Sequence, residues 1–217
     1  MFKKTSMLFF FLLCVSFGFG QTKEIDTAKI IDLIEKSEAI EFSEPQKAIK
    51  LYKEAYDLSL KSNYDEGAFK ATLYTALVHS NMAQYDSAMY YYDKSTVINQ
   101  KIDSELNEVR IILNRANIFM FRGEFEKSIE SHLNGIKILE RKKDSVRLSG
   151  AYANLSAVYQ QLDDFDKQLE FQKKSLHITP AKEIVSLGLT HCDMILPYLM
   201  KKKFNQALFH MKKADST

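Results

Sequence analysis

From about residue 26 onward, apolar side chains recur three and four positions apart, with polar residues between them. Val109, Ile112, Leu113, Ala116 and Phe119 form one such stripe, and Ala88, Tyr92, Ser95 and Ile98 form another. This one-sided period is that of an amphipathic helix packed against a neighbour. No stretch alternates apolar and polar residues between turn signals, so no strand is expected. The pattern predicts ten helices, near 26–42, 45–62, 65–83, 86–101, 104–122, 125–142, 145–162, 165–178, 181–200 and 204–215. Connections of two to four residues make successive helices antiparallel. Start signals agree. Asp86, Asp164 and Asp166 are acidic residues near helix N-termini, Pro45 suits a first turn, and Asp103-Ser104 and Asp144-Ser145 suit caps. Thr179-Pro180 ends one helix and starts the next.

The same sequence signal returns at a fixed interval. Gln84-Tyr85-Asp86-Ser87-Ala88, Glu124-Phe125-Glu126-Lys127-Ser128, Asp164-Phe165-Asp166-Lys167-Gln168 and Lys203-Phe204-Asn205-Gln206-Ala207 align, with their aromatic residue at 85, 125, 165 and 204. A weaker copy is Glu44-Pro45-Gln46-Lys47-Ala48. The clearest unit reads Asn154-Leu155-Ser156-Ala157-Val158-Tyr159, then Asp163-Asp164-Phe165, Gln168 and Ser175-Leu176. Ala116, Phe119, Gly123, Phe125, Ser128 and Gly135 match in the unit before it, and Ala76, Tyr85, Ala88, Tyr92 and Ser95 in the one before that. Tyr198, Phe204, Ala207 and Ala214 match in the last. This arrangement resembles the tetratricopeptide repeat (TPR), in which small residues stand where two helices cross and aromatics plug the gap to the next unit. Two departures stand out. The spacing is 39–40 residues against about 34 in the usual repeat, so each helix is longer by up to a turn. Gln168 replaces a small residue, and the first unit matches only in its second helix, at Ala48, Tyr52 and Ala55. The resemblance covers residues 26–217 and implies an all-α fold, an α–α superhelix (a TPR-like solenoid) of about five helical hairpins. The units fall near 26–62, 65–101, 104–142, 145–178 and 181–215.

The first 20 residues do not follow this pattern. Lys3 and Lys4 precede the uncharged run Met7-Leu8-Phe9-Phe10-Phe11-Leu12-Leu13-Cys14-Val15, and Gly18 and Gly20 flank Phe19. Basic, apolar and small residues in that order are the layout of a secretory signal peptide over residues 1–20, with cleavage after Gly20. The alternative is an uncleaved membrane anchor, but the apolar core falls short of the roughly 20 residues that span a bilayer. Cys14 is a poor lipoprotein cysteine, because Leu13 precedes it and the apolar run continues beyond. The expected location is therefore periplasmic or secreted.

Composition adds two constraints. With 7 Gly and 3 Pro in 217 residues, few helix breakers are present. Loss of Lys3 and Lys4 would leave 28 basic against 28 acidic residues, which argues against nucleic acid or an anionic membrane as partner. Loss of Cys14 would leave Cys192 alone, so no internal disulfide is expected.

Catalytic signatures are missing. His79, His132, His177, His191 and His210 show no zinc-ligand spacing, and no phosphate loop or nucleophile elbow occurs. No enzyme activity, metal or cofactor is expected. His191 beside Cys192 points to a different helix face and reads as a packed position. The Asn154-Leu155-Ser156 glycosylation pattern lies mid-helix, where packing explains it. Lys201-Lys202-Lys203 reads as a helix C-terminus.

What remains is binding. In TPR proteins the first helix of each pair lines an inner face, and such faces take peptides or protein segments. The resemblance places Lys70, Leu73, Tyr74 and Leu77, then Arg110, Leu113, Asn114 and Asn117, then Ala153, Asn154, Ala157 and Gln160 on that face. Lys70, Tyr74, Arg110, Asn114, Asn117 and Asn154 are the candidate peptide-binding residues, since Asn pairs with a peptide backbone and Lys or Arg with a carboxylate. The expected function is a protein- or peptide-binding scaffold outside the cytoplasm. The alternative is the sensory part of a longer signal-transduction protein, such as a histidine kinase or membrane-tethered transcription regulator, since long-period repeats behind a signal peptide resemble such input regions. Leu208, Phe209 and Met211 cannot all face the preceding helix. A longer parent chain, or self-association through the C-terminal end, is therefore expected.

Overall fold

A computed structural model describes residues 27–216; the signal-peptide reading and the proposed cleavage after Gly20 lie outside them. Every regular element among the described residues is an α-helix. α1 spans 27–40. It is followed by α2 (Pro45–Lys61), α3 (Asp65–Asn81), α4 (Tyr85–Ile102), α5 (Glu105–Phe121), α6 (Phe125–Lys142), α7 (Ser145–Gln161), α8 (Phe165–Ile178), α9 (Ile184–Met200) and α10 (Phe204–Asp215). The ten expected helices are all present, and the fold class is the all-α, TPR-like helical-hairpin class anticipated. One start is later than expected. Thr179 is extended before Pro180, as the proline ring requires of its predecessor, and 180–183 form a turn before α9.

The period has a simple origin in the turns. Asn63, Ala83, Asp103, Gly123, Lys143 and Asp163 all have left-handed backbone, at intervals of 20 residues, and Lys202 repeats the conformation once more. At Asn63, Tyr64 N–H donates to Ser59 C=O and Asn63 N–H to Leu60 C=O. This paired reversal is the Schellman motif, which satisfies helix-end carbonyls and turns the chain. The same pair of bonds occurs at Ala83, Gly123, Lys143, Asp163 and Lys202. One helix plus one such turn occupies 20 residues, and two make the 40-residue unit. Asp103 differs: it is a left-handed C-cap, and Asn99 Nδ2 donates to Ser104 C=O. Asp144 and Asp164 are N-caps, accepting from Arg147 N–H and Lys167 N–H.

The helices form two compact units, one ending at Ser104 and the other starting at Glu105. In the first, Ile30, Leu33 and Ile34 of α1 join Ala48, Tyr52 and Ala55 of α2 and Ala71 and Val78 of α3 in one core. α3 then packs on α4, with Ala88 and Tyr92 fully buried. In the second, Val109, Ile136, Leu139, Tyr152, Leu155 and Phe171 make one core, and Leu169, Met194, Tyr198 and Ala207 make another. Burying one such side chain stabilises by about 1.5–3 kcal/mol.

Small residues stand at the crossings, as the pattern required. Ala48, Ala88 and Ser128 are fully buried, and Ser128 Oγ donates to Ala116 C=O at 2.8 Å. A Cβ on Gly135 would lie 2.6 Å from Leu113 Cδ2. Gln168, at the equivalent position in the next unit, is also fully buried. Its amide reaches Gln160 Oε1 (3.2 Å) and Asp193 C=O (3.4 Å), so hydrogen bonds to α7 and α9 replace close approach.

Candidate functional site

In the first unit, α1 and α3 enclose a cleft of about 140 Å³. Its α1 wall is Ile31, Ile34, Glu35 and Glu38, spaced to share one helix face. Its α3 wall is Gly67, Lys70 and Tyr74, and Tyr64 contributes from the turn before α3. Gly67 is needed here for space: a Cβ would meet the Tyr64 ring at 2.5 Å and Ser59 Oγ at 2.6 Å. Behind Tyr74 stands Tyr52, 5.8 Å between ring centroids. Tyr52 is fully buried and donates its hydroxyl to Glu41 at 3.0 Å. Burial and the Glu41 carboxylate push that phenol far above its usual range, so it stays a neutral donor.

The charges on this cleft are not consumed by the fold. On α1, Asp32 pairs with Lys36 at 2.7 Å, and the following Glu41 is held by Tyr52. Glu35, Glu38 and Lys70 form no ion pair among the described residues. Ile31 remains 42% exposed, so the rim is apolar as well as charged.

Two other cavities lie in this unit. One, of about 150 Å³, is lined by Tyr52, Tyr56, Thr72, Thr75, Tyr91 and Lys94. There Lys94 Nζ already lies 4.3 Å from the Tyr56 ring centroid, and both threonine hydroxyls donate to their own helix. The other is an open groove with Lys29, Lys50, Lys53 and Lys61 along it. Glu54 and Asp57 answer Lys29 and Lys53 at 3.5 and 3.4 Å.

Lys70 and Tyr74, singled out from the sequence, therefore meet in one cleft. The opposing wall of Ile31, Ile34, Glu35 and Glu38 was missed, because α1 carries none of the repeat signature; its own 31/34/35/38 spacing was the available signal. Leu73, expected on the same face, is instead fully buried in the core.

In the second unit, Arg110, Asn114 and Asn117 are partly buried along α5, and Asn154 is exposed on α7. Asn114 Nδ2 donates to Arg110 C=O at 2.8 Å, which commits one of its donors to its own helix. The remaining amide groups suit a peptide backbone. The tyrosine triplet divides as helix geometry demands: Tyr92 is buried, Tyr91 half-buried and Tyr90 60% exposed.

His191 is packed, as expected, while Cys192 is exposed. Its neighbour was not anticipated. His191 Nδ1 and His210 Nδ1 are 2.8 Å apart, and Tyr198 stacks on His210 at 5.2 Å. One imidazole must donate and the other accept, so the pair cannot hold both protons. Burial, Lys213 beside His191, and His191 and Lys173 beside His210 lower both pKa values. Among the described residues no helix is long and apolar enough to cross a membrane.

Residues 149–182 match the tetratricopeptide-repeat family. No curated protein matches the chain in sequence. Among solved structures, BtubC (BKLC) from P. vanneervenii is similar, at 16% identity and TM-score 0.64, over 89% of this chain and 90% of that one. The apo form of RapI is similar at 17% identity and TM-score 0.72, over 86% and 69%. So is PH0952 from Pyrococcus horikoshii, described as a signal transduction ATPase with a tetratricopeptide repeat sensor, at 16% identity and TM-score 0.68; the match covers 88% of this chain but 30% of that protein. At these identities the likeness is one of fold. Residues 149–182 are thus a tetratricopeptide repeat, and the helices around them have the fold of tetratricopeptide-repeat proteins.

Proposed function

We propose that this chain is a binding scaffold that holds an extended segment of a protein or peptide on the faces of its first-of-pair helices, outside the cytoplasm. The observation that carries the reading is the α1–α3 cleft, where exposed Ile31, half-buried Tyr74 and the unpaired Glu35, Glu38 and Lys70 converge. Such a surface offers a partner the exposed part of its apolar wall and charges that form no ion pair among the described residues. Within the second unit, Arg110, Asn114, Asn117 and Asn154 offer a polar lining of their own on α5 and α7. No catalytic role is assigned to any residue.

A photo-crosslinking amino acid placed at position 70 or 74 tests this directly in the producing cell. Crosslinks to a defined partner are expected there and not at the exposed outer position Lys101. Equal labelling at all three positions would overturn the reading. Export is tested separately: intact mass of the secreted chain should place its N-terminus at Gln21, and retention of residues 1–20 would refute cleavage.

The same cleft would be the input site if the chain is the sensory part of a signalling protein, such as a histidine kinase or membrane-tethered regulator. The tetratricopeptide sensor described for PH0952 supports that second reading by fold only. A transmembrane helix and output domain encoded beyond codon 217 would favour it. Self-association through the C-terminal hairpin is a further part of the proposal.

A further inference from the structure

We infer that the α1–α3 cleft selects a peptide segment in which a basic side chain, Lys or Arg, lies next to an aliphatic or aromatic one. The inference rests on the peptide-binding reading and specifies its ligand.

Size comes first. The cleft holds about 140 Å³, well below the roughly 300–1,000 Å³ of a site that engulfs a small molecule or cofactor. That is room for one side chain. Its ligand must therefore be part of something longer that continues across the open rim. The walls that would meet this side chain are Ile31, Ile34, Tyr64 and Tyr74, so it is apolar.

Charge comes second. Of the carboxylates on and just after α1, Asp32 is answered by Lys36 and Glu41 by the Tyr52 hydroxyl. Glu35 and Glu38 are the two that lie on the cleft, and they have no ion pair among the described residues. Three residues apart on one helix, they present both carboxylates along one edge. The α3 wall supplies a single cation, Lys70, which leaves the cleft with a net negative charge. A guanidinium or ammonium on the ligand complements that edge, and Arg can engage a carboxylate with two hydrogen bonds. Lys70, across the cleft, faces the ligand's backbone carbonyls. In an extended peptide neighbouring residues rise about 3.3 Å each. A basic residue one or two positions from the buried apolar one therefore reaches Glu35 and Glu38.

Selection of phage-displayed random heptapeptides on the full exported chain tests this, followed by anisotropy titration of the fluorescein-labelled winner. The expected consensus pairs Lys or Arg with Leu, Ile, Met or Phe. Because the two carboxylates are solvent-exposed, Glu35→Gln with Glu38→Gln is expected to weaken binding about three- to tenfold and to flatten its salt dependence. Glu35→Lys with Glu38→Lys should shift the consensus towards Asp or Glu. Circular dichroism checks folding, to which Glu35 and Glu38 contribute no ion pair among the described residues. Winners lacking a basic residue, or unaffected by the Glu variants but lost with Tyr74→Ala, would overturn the specificity and leave peptide binding standing. No enrichment at all, or winners indifferent to both Tyr74 and the Glu pair, would overturn both.

Discussion

Lys143, Ala83 and Lys202 hold left-handed backbone at φ near 55°, where a Cβ is disfavoured. The conformation costs a side-chain-bearing residue about 1–2 kcal/mol. Gly123 meets the same demand without that cost, at φ 75° and with nothing within 4 Å of a would-be Cβ. Lys143→Gly is expected to raise stability by about 0.5–1 kcal/mol, after the greater chain entropy of unfolded glycine is deducted. Gly123→Ala should lower it by a similar amount; a denaturant midpoint unchanged in both would show that the turns do not limit stability. His132 carries a different cost. It is fully buried, neither ring nitrogen has a protein partner, and burial lowers its pKa to about 4. Its depressed folded value means that protonation favours the unfolded chain. The stability is whole above the unfolded pKa of about 6.5 and is lost as pH falls towards 4. The lowered values of His191 and His210 act with the same sign. Between about pH 7.5 and 5, His132 alone accounts for about 2 kcal/mol of lost stability. Denaturant titrations across that range should be visibly flatter for His132→Leu than for the natural chain.

At the scale of helices and turns, packing decides what a substitution does. Ala88 is fully buried at the α3–α4 crossing, and Ala88→Phe should cost about 1–3 kcal/mol through overpacking. An unaltered melting curve would mean that the crossing lies elsewhere. Gly67→Ala should cost a similar amount, since its Cβ would collide with the Tyr64 ring, and should also impair any ligand of the α1–α3 cleft. The hairpins were legible in the sequence because the determinants of each are local. The 40-residue recurrence of an aromatic, a small crossing residue and a polar turn lies within one or two helices, and so do the caps at Asp144 and Asp164. The cleft was half legible. Lys70 and Tyr74 follow from the repeat register, but Glu35 and Glu38 belong to a helix without that register, and only its placement across from α3 gives them a role. The His191–His210 contact was hidden for a related reason. Nineteen residues and a turn separate the two, and only the relative rotation of α9 and α10 brings their rings together.

Over the chain as a whole, apolar exposure is uneven. Among the described residues, ten of the twenty large hydrophobic side chains that remain exposed lie on α9 and α10, including Val185, Leu189, Met200, Phe204, Leu208, Phe209 and Met211. The expected exposure of Leu208, Phe209 and Met211 is present, at 45%, 53% and 51%. Within the second unit the reason is visible in the stacking order. α7 packs on α6, and α9 packs on α8, so each earlier hairpin gains a cover from the next helix. The corresponding surface of α9 and α10 has none among the described residues. Phe204, Leu208 and Met211 follow a helical stripe along α10, which makes the surface continuous rather than scattered. Contiguous apolar surface of this kind marks an association site, and the simplest closed arrangement uses the same patch twice across a two-fold axis. On the self-association reading proposed above, the partner is a second copy of the chain. Sedimentation velocity over a range of concentrations should show a reversible shift from monomer to dimer. Leu208→Asp combined with Leu189→Asp should abolish that shift while leaving helicity unchanged, because both side chains face solvent in the single chain. A species that stays monomeric at the highest concentration, or a dimer indifferent to both substitutions, would remove self-association from this hairpin.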